Sequence, residues 1–260
     1  MKPVIKSKRM LFIILQIILY AVFLTLDFMG RSIRLSNYIK FCMIIVCFCY
    51  VLFSRKSMDK GILFCLRAAL FFTVISDLFI LILDYYIYGV STFIIVQQLY
   101  DIRLLLIRSK IKDTTKLFFA YLLHLFIKIG VASVICILLF ASGVTLDALL
   151  IITTFYFVSL LYNVWMSVIT ARLNPRCHGN ILYAVGMILF LLCDINVGLF
   201  NLTGYIALSP TVCDIIETVS GMLMWTFYAP SQALIAISSD FTIRQTEQKY
   251  GKYLWKNMDM

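Results

Sequence analysis

The stretch FFTVISDLFI, residues 71–80, sets Ser76-Asp77 in the middle of a run that is otherwise apolar or Thr. An ionised carboxylate in a low-dielectric setting costs several kcal/mol, so its surroundings decide what it is for. Composition supplies those surroundings. The chain has 260 residues, is 62% hydrophobic and 14% charged, and has a mean hydropathy of +0.96. Soluble domains run at about 45–50% apolar and about 25% charged residues, so this chain belongs in lipid. Asp77 is therefore an intramembrane acid, and such acids are functional candidates by default.

A helix needs about 20 mostly apolar residues to cross a bilayer. Eight segments meet that need: 10–28, 37–53, 61–83, 86–107, 116–140, 145–171, 180–203 and 213–238. Their connections are short and carry helix breakers such as Gly30, Asn174-Pro175, Gly179, Gly204 and Ser209-Pro210. The expected fold is all-α, a polytopic membrane bundle of eight transmembrane helices. Residues 1–239 form the membrane domain, and 240–260 form a basic tail. The start, MKPVIKSKRMLFIILQIILYAVFLTLDF, imitates a secretory signal, but its apolar run is too long and no small-x-small cleavage site follows. It reads as a retained first span.

The net charge of +10 is a matter of topology rather than of nucleic-acid binding. Lys2, Lys6, Lys8 and Arg9 precede span 1. Arg55, Lys56 and Lys60 follow span 2, and Arg108, Lys110, Lys112 and Lys116 follow span 4. Arg172 and Arg176 follow span 6, and Arg244, Lys249, Lys252 and Lys256 lie in the tail. The opposite loops hold only Arg31 and Arg34. This positive-inside pattern places both termini in the cytoplasm, with anionic lipid headgroups as partners. The eight cysteines are scattered, and Cys42, Cys47, Cys49, Cys65, Cys136 and Cys193 lie in apolar runs, as buried reduced thiols do. Cys177-His178 is too small a set for a metal site.

Span 7, NILYAVGMILFLLCDINVGLFN, carries a second acid, Asp194. Asp77 lies roughly 9 Å and Asp194 roughly 15 Å before the outer ends of their spans, at 1.5 Å per residue. Each has a polar residue seven positions on, Asp84 and Asn201, which returns to the same helix face, and Gly198 continues the second stripe. Spans 3 and 7 are four apart and share an apolar run, small-Asp, apolar run pattern, which allows a parallel repeat of two four-helix halves. Span 4 places Gln97, Tyr100 and Asp101 on one face. Span 8 places Gly221, Trp225, Tyr228 and Gln232 on another, with Pro230 expected to kink it near 226–230. His124 and Lys128, at i and i+4 of span 5, read as interhelical bonding, or Lys128 snorkels. Arg67 snorkels or neutralises an acid, and Arg103 reads as a headgroup contact.

SDLFILILDYYIYGVSTFIIVQQLY, then LLCDINVGLF, then YAPSQALIAIS resembles the YhhN family of lysoplasmalogenase-like membrane proteins. Ser76-Asp77, Gly89 with Phe93, Tyr100, Cys193-Asp194 and Tyr228 with Gln232-Ala233-Leu234 carry the likeness over about half the chain. Gln97 stands where the family has His. The resemblance implies an eight-span bundle that hydrolyses the vinyl ether bond of a lysoplasmalogen, a single-chain ether lysophospholipid. Its products are a fatty aldehyde and a glycerophospho-headgroup. The reaction begins with protonation of carbon and passes through an oxocarbenium ion that water attacks. It needs an acid, a nearby negative group and a base, roles that two carboxylates fill in glycosidases. By that analogy Asp77 and Asp194 are the catalytic pair. Gln97, Tyr100, Asn201, Tyr228 and Gln232 would orient water and the glycerol oxygens, and no metal or organic cofactor takes part.

A second class competes with the enzyme: a small transporter or lipid-state sensor that uses the buried acids as a proton relay. Transport favours Gly/Pro-interrupted helices in equivalent spans of the two halves, and only span 8 carries a proline.

Overall fold

Long apolar runs closed by short polar turns leave the backbone one way to satisfy its hydrogen bonds in lipid, which is helix. The computed structural model describes residues 3–30, 33–54, 59–108, 114–202 and 209–258, with the backbone alone for 3–6, 114, 202 and 242–258. Eight α-helices follow one another: α1 (Pro3–Phe28), α2 (Ile33–Leu52), α3 (Lys60–Asp77), α4 (Tyr86–Arg108), α5 (Thr114–Ala141), α6 (Ala148–Leu173), α7 (His178–Leu202) and α8 (Pro210–Met258). Asp59 caps α3 by accepting from the amides of Gly61 and Ile62, and Asp147 caps α6 by accepting from Leu150. The residues Lys2, Arg31, Arg55, Lys56, Lys110, Lys112 and Gly204, on which the charge pattern and one turn partly rest, lie outside the described residues.

Seven of the helices, α1 to α7, are long and apolar enough to cross a membrane. The eighth falls short on apolarity because its middle carries Thr226, Ser231 and Gln232 and its first turns carry Asp214 and Glu217. It nevertheless runs antiparallel along the whole of α7. His178 faces Phe241 at one end, Gly186 meets Ser231 and Ile235 midway, and Gly221 lies against Phe200 towards the other end. A helix that tracks a spanning helix end to end traverses the same thickness. Five of its polar side chains are directed inward, with Ser220, Ser231, Gln232, Ser238 and Ser239 all buried. The helix continues unbroken through position 240 to Met258, so the expected tail is its last turns. At 1.5 Å per residue its 49 residues measure about 74 Å, well beyond a hydrocarbon core of about 30 Å.

The core lies among α2, α3, α4, α6, α7 and α8. Arg9 lies over Phe241, and Tyr50 at the end of α2 donates to Asp240 at 2.6 Å, so the start of α1 and this part of α8 share one end of the bundle. Pro230 deprives the Thr226 carbonyl of its helical donor. Tyr20 of α1 donates to that oxygen at 3.2 Å, and the helix passes through the proline without a break. Arg67 donates to the carbonyls of Val51, Leu52 and Ser54, closing the C-terminus of α2, where a cation also suits the helix dipole. It pairs with backbone rather than with an acid. All eight cysteines are free. Cys47, Cys65, Cys177 and Cys193 are buried, whereas Cys42 is exposed on the outer face of α2. Burial pushes the thiol of Cys177, in the turn before α7, above its usual range.

α5 sits at the rim, packed on α4 and α6, with Phe118, Phe119, Phe126 and Phe140 exposed. One polar clamp fastens it. Lys128 donates to Asp101 Oδ2 at 2.8 Å and to Gln98 at 2.7 Å, and His124 Nδ1 meets Asp101 Oδ1 at 2.9 Å. Lys128 is fully buried, so it does not snorkel.

Candidate functional site

Asp77 ends α3, and the next five residues, Leu78–Ile82, form a π-helical turn. π turns re-aim side chains and recur at functional sites. This one changes the register, so Asp84 leaves the face of Asp77. Asp84 is exposed with a left-handed φ of 56°. Asn37 of α2 donates to the Leu81 carbonyl of this turn at 3.4 Å. The sequence around Asp194 looks alike, but α7 passes through it as ordinary α-helix.

The turn is pressed against α4 at Gly89. A Cβ there would fall 2.4 Å from Ile80 Cγ1 and 3.2 Å from the Ser76 carbonyl oxygen, so only glycine permits the approach. Ser76 completes the contact by donating to the Gly89 carbonyl at 2.6 Å. The small residue before the aspartate is thus a bolt between α3 and α4 that fixes where Asp77 sits.

Asp77 is 3% exposed and accepts a hydrogen bond from Tyr228 of α8 at 2.7 Å. Asp194 is half-buried and accepts a short hydrogen bond from Tyr156 of α6. The two phenols share a neighbour. The Phe93 ring, one turn after Gly89, lies 5.8 Å from Tyr156 and 6.5 Å from Tyr228, and Phe190 of α7 packs on Phe93 and on Tyr228. Two acids on separate helices are therefore held by two tyrosines around one aromatic cluster. Among the described residues neither has a cationic side chain within ion-pair distance.

The other candidates divide. Gln97 is fully buried, and its backbone and side-chain oxygens both take the amide of Asn163, at 2.8 and 2.9 Å, while its own Nε2 has no partner. Tyr100 and Gln232 are also fully buried, and among the described residues neither the Tyr100 hydroxyl nor either polar atom of the Gln232 amide has a partner in good hydrogen-bond geometry. Tyr228 holds Asp77. Asn201 is not brought to the pair. It is exposed near the end of α7 and donates to the Val197 carbonyl of its own helix. Gly198 has nothing within 4 Å, so no helix approaches there. Asp101 turns away from Gln97 and Tyr100 towards α5. Arg103 is buried at 1% exposure, not spread towards headgroups, because its guanidinium lies 4.1 Å over the Tyr183 ring.

Tyr156 is the residue that sequence reasoning missed. The signal existed: Tyr156, Ser159, Asn163, Ser167 and Thr170 repeat at helical spacing, and all are buried on one face of α6. An apolar groove of about 240 Å³ opens between α7 and α8 within a turn beyond Asp194, lined by Asn196, Leu199, Ile215, Val219 and Leu223 among others.

Comparison with known proteins adds one match. The model of the YhhN family covers residues 35–239, which contain every element of this site. No curated protein and no solved structure matches the chain.

Proposed function

The chain belongs to the YhhN family, and from that premise and the aspartate geometry we propose that it is an intramembrane hydrolase of the lysoplasmalogen vinyl ether bond. The observation that carries the proposal is the pair itself: two carboxylates from α3 and α7, each steadied by a phenol and neither neutralised by a cation. One carboxyl group delivers a proton to the vinyl carbon remote from oxygen, which leaves an oxocarbenium ion facing the other carboxylate. Water adds to the cationic carbon and gives up a proton to that carboxylate. The hemiacetal then collapses to the aldehyde, and the ether oxygen leaves with a proton as the glycerol hydroxyl.

Tyr156 and Tyr228 hold the carboxylates in place through the change of charge. Gln97, Tyr100 and Gln232 offer unpartnered buried groups to water or to glycerol oxygens. The apolar groove between α7 and α8 is suited to the alkenyl chain, so the lipid would reach the acids sideways from the bilayer. By the charge pattern both termini face the cytoplasm.

The test is aldehyde release from a lysoplasmalogen by the detergent-purified protein. Asp77→Asn and Asp194→Asn should each lower the rate by at least about 100-fold, the scale of general acid–base catalysis, with the thermal melt retained. Folded wild-type protein that releases no aldehyde from either the ethanolamine or the choline lipid would sink the proposal and turn attention to proton-coupled transport.

A further inference from the structure

Among the described residues the buried guanidinium of Arg103 has no counter-charge within ion-pair distance. One nitrogen reaches Ser238 Oγ at 3.4 Å, while Nε and the other terminal nitrogen have no hydrogen-bond partner among the described residues. Among the described residues no carboxylate lies within 4 Å of it. The nearest acid along α4, Asp101, is occupied by Lys128 and His124 on the other face of the helix. The Tyr183 ring offsets only part of the desolvation of a buried cation.

Arg103 also ends a column of unsatisfied groups. The Tyr183 ring that carries it lies 5.7 Å from that of Tyr100, and among the described residues neither hydroxyl has a partner in good hydrogen-bond geometry. Gln97 lies one turn further along α4, and Gln232 faces inward from α8. Buried polar groups without partners are rare in native proteins and mark a place for a ligand or ordered water. Phe93, which packs on both aspartate-holding tyrosines, precedes Arg103 by ten residues, about 15 Å along the helix. Tyr228 and Ser238 repeat that interval on α8. The column is as long as a glycerophosphate arm with a hydrogen bond at each end.

We propose that Arg103 is a phosphate-binding residue, holding the phosphodiester of a single-chain glycerophospholipid whose first chain carbons lie at Asp77 and Asp194. This rests on the hydrolase reading for the chemistry at the far end, but not for the binding. The guanidinium fork offers two parallel N–H donors to a phosphate, which a lone ammonium does not. Tyr100, Tyr183, Gln97 and Gln232 meet the remaining phosphate and glycerol oxygens. The headgroup then lies towards the end of the bundle that holds Arg9 and Asp240, and the chain runs towards the groove between α7 and α8.

The experiment measures binding of a saturated 1-O-alkyl lysophosphatidylethanolamine, which has no vinyl ether to cleave, and of 1-O-alkylglycerol, which has no phosphate. The full chain in detergent is compared as wild type, Arg103→Gln and Arg103→Lys. Arg103→Gln should weaken the phospholipid at least tenfold and leave the alkylglycerol unchanged, with Arg103→Lys between them. Glycerophosphoethanolamine should compete on the wild type far better than inorganic phosphate; equal competition would overturn the lipid assignment in favour of free phosphate. Unchanged phospholipid affinity in both variants, or none in the wild type, overturns the proposal, and if aldehyde release persists the hydrolase reading stands without it. Arg103-dependent binding with no aldehyde release sustains Arg103 and sinks the hydrolase instead.

Discussion

Asp77 and Asp101 are both fully buried carboxylates in one bundle, and they are kept in opposite ways. Asp101 faces an ammonium at 2.8 Å and an imidazole at 2.9 Å, between α4 and α5. Asp77 faces a phenol at 2.7 Å and, across an aromatic cluster, a second acid. A paired charge is finished, because its field is spent on its partner. A carboxyl group that has only neutral donors keeps its charge and its proton available for a reacting molecule. On the proposed reading the difference separates an acid that fastens a helix from one that is placed for chemistry, although both look alike as single polar letters in an apolar run.

The widest gap should appear when each acid is neutralised. Asp77→Asn lowers aldehyde release by at least about 100-fold with the fold kept. Asp101→Asn should leave the rate per folded molecule within roughly a factor of three while lowering the melting temperature. Rates and melts on the same preparations separate the two effects. An Asp101→Asn protein that melts like wild type yet is dead would reverse the assignment.

The clamp can then be dissected from its other side. Lys128→Met strands Asp101 with His124 alone, and breaking a buried pair costs about 3–5 kcal/mol. The double variant Lys128→Met/Asp101→Leu removes both charges and should recover most of that loss, since an apolar pair of similar volume suits the rim of the bundle. Failure of the double variant to recover would mean that the two charges do more than fasten α5.

This contrast explains what the sequence could and could not show. Hydropathy displays the first seven helices plainly and the eighth more weakly, because lipid demands apolar runs of fixed length, and the bounds drawn in the sequence lie within a few residues of the helices except at the ends of α1 and α8. Asp77, Asp194 and Tyr228 stood out as candidates because a polar group in such a run is conspicuous. Partnership was not. Nothing in the letters says that Asp101 turns to Lys128 or that Arg103 turns inward, because in a bundle buried on several sides the polar period does not name the facing helix. The π turn was hidden for a related reason: LFILI is an unremarkable apolar string, and packing at Gly89 decides its winding. Tyr156 escaped because it belongs to no short motif.

A smaller effect tests that winding. Gly89→Ala places a methyl group against Ile80 and the Ser76 carbonyl, an overpacking that costs about 1–3 kcal/mol, and it shifts the turn that aims Asp77. Activity should fall beyond what the melt explains. Gly198→Ala, where nothing lies within 4 Å, should change neither. Gly186→Ala meets the Ser231 carbonyl at 3.0 Å on α8 and should cost stability with less effect on rate, since no catalytic carboxylate adjoins it. Equal loss of activity at Gly89 and Gly186 would deny the π turn its special role.

The smallest effect belongs to a bond that touches neither acid. Tyr20→Phe leaves the Thr226 carbonyl, already deprived of its helical donor by Pro230, without a partner at membrane depth. A lost hydrogen bond of this kind costs about 1 kcal/mol. α8 reaches Tyr228 half a turn after Thr226, so a bend released at Thr226 would be transmitted to the phenol on Asp77. If Pro230 is held straight by Tyr20 alone, Tyr20→Phe lowers both the melt and the rate, and the further change Pro230→Ala restores both by returning the helical amide. If the melt drops while the rate is unchanged, the Asp77–Tyr228 pair is fixed by Phe93 and Phe190 rather than by the course of α8. That outcome would place the rigidity of the site in its aromatic cluster and leave Asp101, with its salt bridges, as the acid more sensitive to helix position.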